Sequence, residues 1–353
     1  MKDLLVNGVL KRSLNRHRPG RDPNVFLFGT PRGGTTWLME MIWSQPGFKS
    51  CNEPLDLRNP LVRKHLGISE WRRLYDRTVD RQLESYLGRL ERGELYIVDP
   101  LPGRGRYHRF FSHRTVFKII HGAEDRIEFL ANRFHGRALL LVRHPIPVSL
   151  SRQTLPRLEA MVEGDYRRHF TADELVAARR VIERGLPLEK AVLDWCLQTA
   201  VPLRQLRRDW LVVSYEQLVL EPEAVIPVLA RELGLPSPER MMRHVALASQ
   251  SSNQSDAEAR RLLGMAGRQE ASRRLLDRWR SKVSVDEEKR AMGLLERFGI
   301  DVYTAGENLP RRFWLGARED DRKVDYESEG GARLDPSLDP SLDHAVVGGR
   351  QVT

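Results

Sequence analysis

The chain runs to 353 residues, 41% hydrophobic and 30% charged, which allows one large core and excludes an intrinsically disordered chain. No apolar run reaches the ~18 residues of a membrane-spanning helix, and two cysteines (Cys51 and Cys196) are too few for a disulfide framework or a zinc cluster. The net charge of +10 fits an anionic partner, whether nucleotide, acidic substrate, membrane surface or nucleic acid. It equally fits arginines spread without a partner, because charge alone does not choose.

Residues 1–22 are basic and lack a continuous apolar stretch, so they read as an amphipathic surface helix or a flexible basic tail, not a signal peptide. Free thiols and the lack of a leader make the cytoplasm the expected location. Residues 24–29 (NVFLFG) form a short apolar run ending in glycine, the signature of a buried parallel strand. A helix is expected over 35–44, with Leu38, Met41 and Ile42 on one face, and a second strand ends near Glu53. Further strands are expected at 95–98 (LYIV), 116–120 (VFKII), 138–143 (ALLLVR) and 210–214 (WLVVS). Between and after them, 189–208, 223–233 and 285–298 carry helical periodicity, and Gly234 suits the end of the second. Residues 250–274 are polar and arginine-rich, a surface loop and helix. Strands alternating with helices predict a three-layer α/β/α fold with a mostly parallel central sheet. One catalytic domain is expected over 23–316, with a disordered tail over 317–353 that repeats Asp-Pro-Ser-Leu.

The chemistry concentrates after the first apolar strand. Gly29-x-x-x-x-Gly34-Thr35-Thr36 has the spacing of a P-loop, with Thr35 where the lysine belongs. Glycines let the backbone curl so that successive N–H groups point into one concavity, and the following helix adds the positive end of its dipole. Without the lysine, such a loop is poorly suited to magnesium triphosphate and suits a single 5′-phosphate with one transferable unit. Pro31-Arg32-Gly33-Gly34-Thr35-Thr36-Trp37-Leu38 resembles the 5′-phosphosulfate loop of the sulfotransferases. That resemblance implies 3′-phosphoadenosine 5′-phosphosulfate as donor and no metal. It implies that Arg32, Gly33, Gly34, Thr35 and Thr36 wrap the phosphosulfate while Trp37 lies against adenine.

A donor with a 3′-phosphate needs a second anion site. Arg143 ends a strand, Pro145 suits a helix start, and Ser151 falls eight residues after the arginine. This resembles the family's 3′-phosphate motif, with His144 where an aspartate is usual. Tyr215-Glu216-Gln217-Leu218 resembles the block whose tyrosine approaches adenosine. Trp279 resembles the tryptophan beside the basic cap; Arg268 and Arg273 are candidates for that cap, and Ser249 and Ser251 for the adenine pocket.

Sulfuryl transfer needs donors for the leaving oxygen and a base for the acceptor. Arg32 suits the first task. For the second, Glu53 (in Asn52-Glu53-Pro54) is ranked ahead of His121, which follows the strand at 116–120, and Lys118 is expected near the sulfate or leaving oxygen. Asp99 lies beyond an expected strand end without a role, and His108 and His113 belong to an arginine-rich loop. The acceptor is a small molecule or glycan whose identity is not legible, nor is oligomeric state. Peripheral membrane contact is compatible with the charge, and no nucleic-acid motif appears. Two other functions stay open: a P-loop kinase for a small metabolite, and a basic nucleotide- or nucleic-acid-binding module.

Overall fold

Four apolar runs and the mixed segment Phe48–Asn52 (FKSCN) supply the strands of one sheet, whose side chains alternate between its two faces. The computed structural model describes residues 10–99, 107, 109–152, 154–247 and 268–311. Its strands are β1 (Arg16–His17), β2 (Asn24–Gly29), β3 (Phe48–Asn52), β4 (Phe111–Ser112), β5 (Arg114–Ile119), β6 (Gly136–Val142) and β7 (Leu211–Ser214). The central sheet has the order β3-β5-β2-β6-β7 with every pair parallel. In β2, Phe26 and Phe28 enter one core while Val25 and Leu27 enter the other, as a two-residue period requires.

The first core gathers Phe26, Phe117 and Leu140 with the long helix Pro187–Arg204 and the helix Val285–Arg297. Phe26 stacks on Phe117 with centroids 4.7 Å apart. The second core packs the helices Thr35–Trp43, Pro222–Leu233 and Pro238–Val245 on the opposite face. Gly234 ends the second of these with φ of +59°. The architecture is therefore the α/β sheet with helices on both faces that the alternating pattern predicted. Among the described residues, no helix is long and apolar enough to cross a membrane.

Sheet order decides where chemistry can sit. β5 and β6 flank β2 on opposite sides, so the chain switches direction across the sheet at β2, and a crevice opens at the C-terminal ends of these strands. The loop after β2, Glu53 after β3, Lys118 near the end of β5, Arg143 after β6 and Tyr215 after β7 all come to that edge.

Two expectations are corrected. Residues 95–98 form no strand: Leu95, Tyr96 and Ile97 are buried, but the Tyr96 carbonyl accepts from Lys11 Nζ (3.0 Å) rather than from a neighbouring strand. A short apolar run signals burial, and only its pairing signals a strand. The N-terminal segment is not a free tail from residue 11 onward. The helix Lys11–Leu14 leads into β1, which pairs with β4, and Lys11, Asn15 and His17 are buried. The expected tail over 317–353 and most of the arginine-rich loop before residue 268 lie outside the described residues.

Candidate active site

The loop after β2 is shaped by backbone conformations that few residues tolerate. Gly34 has φ of +92°, and a Cβ there would lie 2.5 Å from Tyr215 Cδ2. A Cβ on Gly29 would lie 2.7 Å from the Leu141 carbonyl oxygen of the neighbouring strand. Arg32 adopts φ of +67° with a full side chain, a strained state costing on the order of 1–3 kcal/mol that surrounding contacts must hold. Those contacts are present. Gly33 N donates to Thr30 O (3.0 Å), Arg143 Nη1 donates to Arg32 O (3.1 Å), and Arg152 Nη2 donates to Pro31 O (3.4 Å). Arg152 is buried and ion-paired with Asp194 of the long helix, so it braces the loop from below. The helix Thr35–Trp43 begins with no acidic residue in its first turn, which leaves its positive end to an anion.

Lys118 ties the loop to the base candidates. Its ammonium is almost wholly buried and donates to Thr36 Oγ1 (2.6 Å) and Glu53 Oε1 (2.7 Å). Glu53 sits at φ of +53°, its N–H donating to the Lys118 carbonyl (3.0 Å), so the turn after β3 is registered on β5. His121 Nε2 lies 3.6 Å from Glu53 Oε2, and Arg58 Nη2 lies 3.7 Å from the same oxygen. The two residues weighed as rival bases are therefore neighbours.

Burial pushes the Glu53 carboxyl up, but His121 and the Lys118 ammonium outweigh it and hold the carboxyl below the usual carboxylate range. Burial first, and then the Arg157 guanidinium, push His121 down to about 4, so its ring is neutral at neutral pH. The ring packs edge-on against Trp71, with centroids 5.4 Å apart. Glu53, Asp56 and His121 each offer a ligand atom within 4.8 Å of the others. A cation there would compete with Lys118 for Glu53 and with Arg58, which donates to Asp56 Oδ1 (2.8 Å).

A second cationic site lies beside the loop. Arg32, Arg143, Ser151, Arg278, Trp279 and Lys282 contribute to the lining of a cavity of about 390 Å³. Arg143 Cζ lies over the Tyr215 ring, 4.0 Å from its centroid, and Tyr215 meets Trp37 edge-on (5.7 Å), so three residues chosen separately from sequence form one contiguous cluster. Arg143 Nε is buried without a hydrogen-bond partner among the described residues. Ser151 Oγ donates to the Val148 carbonyl (2.8 Å) at the end of the helix Pro145–Leu150. The one carboxylate in this lining, Glu216, is occupied: it accepts from His144 N (3.0 Å) and Tyr303 Oη (2.8 Å). Four cations around an occupied carboxylate leave the cavity positive.

His144, the departure from the sulfotransferase motif, has a structural task. Its Nδ1 accepts from Ile146 N (3.3 Å) to cap the helix, and its ring stacks on Trp279 (5.0 Å). Burial pushes it down to about 3, so it adds no charge to the cavity. Trp279 thereby anchors the segment that carries Arg278 and Lys282 over the cavity. Those two cations were missed from sequence, where Arg273 was chosen instead; Arg273 lies exposed on the helix Arg268–Asp277 and is not among the lining residues. The brace formed by Arg152 and Asp194 was also missed; its partners lie 42 residues apart, and no local pattern marks them. Asp99 is buried 3.7 Å from Lys49, and His113 is exposed and packs on Gly47. Ser249, Ser251 and His108 lie outside the described residues, as does the side chain of Arg268.

No family model matches the chain, and no curated protein matches it. Solved structures that match it include sulfotransferases. The sulfotransferase domain of the Synechococcus PCC 7002 olefin synthase is 17% identical over 82% of this chain and 98% of its own, with a TM-score of 0.39. A mouse sulfotransferase crystallised with PAP is 15% identical over 82% of this chain and 88% of its own, with a TM-score of 0.40. Sulfotransferase STF1 of Mycobacterium tuberculosis H37Rv is 14% identical over 69% of this chain and 76% of its own, at 0.29. At such scores none of them assigns a role to a residue here.

Proposed function

We propose that the chain is a sulfotransferase that moves a sulfuryl group from 3′-phosphoadenosine 5′-phosphosulfate to a hydroxyl or amine acceptor, with a carbohydrate or glycolipid as the favoured class. The observation that carries this proposal is the pairing of a lysine-free phosphate loop with a separate cationic cavity, joined through Arg143, which donates to the Arg32 carbonyl and stacks on Tyr215. The unpartnered Arg143 Nε and the four lining cations fit a 3′-phosphate. The loop N–H groups, Thr35 and Thr36 fit the 5′-phosphosulfate.

Bound, the donor supplies an activated sulfuryl group on a phosphate leaving group. Arg32 and the first-turn N–H groups are preorganised to stabilise charge developing on the leaving oxygen. Glu53 takes the acceptor proton. Any contact that draws the Lys118 ammonium from Glu53 towards the loop raises the carboxyl towards the range in which a base works best. His121, neutral and beside Glu53, orients the carboxylate. The two cysteines are free and buried, in keeping with the reducing cytoplasm we assign.

A metabolite kinase is disfavoured by Thr36. Triphosphatases use the hydroxyl at this position to hold magnesium, whereas here it accepts from the Lys118 ammonium, which would repel a second cation. A thermal-shift comparison separates the two activities. 3′-Phosphoadenosine 5′-phosphate without magnesium should stabilise the protein by about 2.7 kcal/mol at a hundredfold excess over Kd, and ATP with magnesium should not. The opposite ranking refutes the assignment, and binding of random oligonucleotides without donor binding supports the basic module. Labelled-donor transfer to pooled sugars, glycolipids and phenols then identifies the acceptor.

A further inference from the structure

The two-stranded ribbon β1–β4 takes no part in the chemistry above, yet it displays an unusual surface. Phe110 and Phe111 are adjacent and 60% and 71% exposed, and Leu10, just ahead of the helix leading into β1, is 45% exposed. Register pairs Arg16 with Phe111, and both are exposed while their neighbours His17 and Ser112 are buried. One face of the ribbon therefore presents a guanidinium directly beside an aromatic ring. The pairing continues past the strands: Arg18 N donates to Ser112 O (2.9 Å) and Gly20 N to His113 O (2.8 Å). Arg18, Arg21 and His113, all exposed, extend the basic edge, and Asp22 is the one acid in 10–22 and 109–114. The nearby pair Arg92–Glu94 is neutral by itself.

These aromatics are not the tip of a loose loop. Beneath them His17 Nδ1 bonds Ser112 Oγ (2.9 Å) and His113 N donates to Gly47 O (2.8 Å). A Cβ on Gly47 would lie 1.9 Å from the His113 ring, so the ribbon is seated on the turn before β3. A rigid base holding two phenylalanines in water, rimmed by arginines and poor in acids, matches an anionic surface with an apolar interior.

We propose that Phe110, Phe111, Arg16 and Arg18 form a docking surface for an anionic lipid bilayer, with the rings entering the acyl boundary and the guanidiniums pairing with headgroups. The ribbon runs into Arg114, the first residue of β5, at the end of the sheet opposite the phosphate loop. Docking therefore leaves the cleft open. This inference does not depend on the proposed reaction.

The test is co-sedimentation of the full chain with phosphatidylcholine vesicles, with and without about 30 mol% phosphatidylglycerol, at about 0.1 M salt. The wild type should bind the anionic vesicles at least roughly tenfold better than the neutral ones. Phe110→Ser with Phe111→Ser should lower that partition at least roughly tenfold with the melting temperature unchanged. Arg16→Ala with Arg18→Ala should lower it and flatten its salt dependence. Equal binding to both vesicle types, or wild-type binding by both double variants, overturns the proposal. So does a soluble dimer that the phenylalanine substitutions dissolve without altering vesicle binding, or duplex DNA binding that they weaken in place of vesicle binding.

Discussion

Replacing Glu53 by glutamine tests the centre of the proposed chemistry with little change of shape. The amide oxygen can still accept from Lys118, whose ammonium stands 2.7 Å from Glu53 Oε1, so the buried lysine keeps a partner. An ion pair becomes a hydrogen bond from an ammonium to a neutral amide, a loss of about 1–2 kcal/mol once the partial exposure of Glu53 is counted. Turnover should fall much further. Loss of a general base costs about 10²–10⁴-fold, or about 2.7–5.4 kcal/mol at 1.36 kcal/mol per decade. Donor-product affinity should hold or rise by up to about threefold, because a negative charge is removed beside the loop proposed to hold the donor's phosphosulfate. Acid stability supplies a second readout. The folded Glu53 carboxyl lies below its unfolded value near 4.5, so its contribution is present above that pH and is lost as pH falls towards the folded value. The gap in melting temperature between wild type and Glu53→Gln should therefore be widest at neutral pH and narrow below about pH 4.5. Initial rates, calorimetry with 3′-phosphoadenosine 5′-phosphate and melting curves from pH 3 to 8 decide the matter. Near-normal turnover, or affinity weakened more than about tenfold, refutes the assignment of Glu53 as base.

Arg143→Ala should weaken 3′-phosphoadenosine 5′-phosphate by about 10–150-fold, the worth of a charged hydrogen bond at about 1.5–3 kcal/mol, as calorimetry would show. Arg143→Lys should rescue little of it, because an ammonium lacks the planar, forked guanidinium that sits over Tyr215 and can grip a phosphate with two donors. His121→Asn should slow turnover far less than Glu53→Gln; the reverse order in initial rates moves the base to His121. His121 is held down to about 4, below its unfolded value near 6.5, so wild-type stability declines as pH falls between those values. Melting curves of His121→Asn should lack that decline. Gly34→Ala should lower the melting temperature and abolish donor-product binding, because φ is +92° and the new Cβ would strike the Tyr215 ring.

Much of this site could be read from sequence because its parts are contiguous. The loop from Gly29 to Thr36 carries strand, glycines and helix in one stretch, and Arg143 to Ser151 spans a single strand end and helix start. The two-faced apolar runs likewise announced buried parallel strands, since a strand covered on both faces has no polar side. The run at 95–98 misled for the same reason, as burial without pairing leaves an identical mark.

What local pattern cannot carry is the order of strands. β5 is the fifth strand in the chain yet lies between β3 and β2, and only that insertion brings Lys118 to Thr36, 82 residues away, and to Glu53, 65 residues away. Glu53 and His121 looked like competitors in sequence; the sheet makes them neighbours, with His121 Nε2 3.6 Å from Glu53 Oε2. Arg152, Arg278 and Lys282 were invisible for the same cause, since each is one arginine or lysine among 58 until packing aims it at the loop or the cavity. The sequence by itself determined that a glycine loop joins a buried strand to a helix, and which residues build it. Long-range pairing, which no spacing along the chain encodes, decided which carboxylate, imidazole and cations meet at that loop.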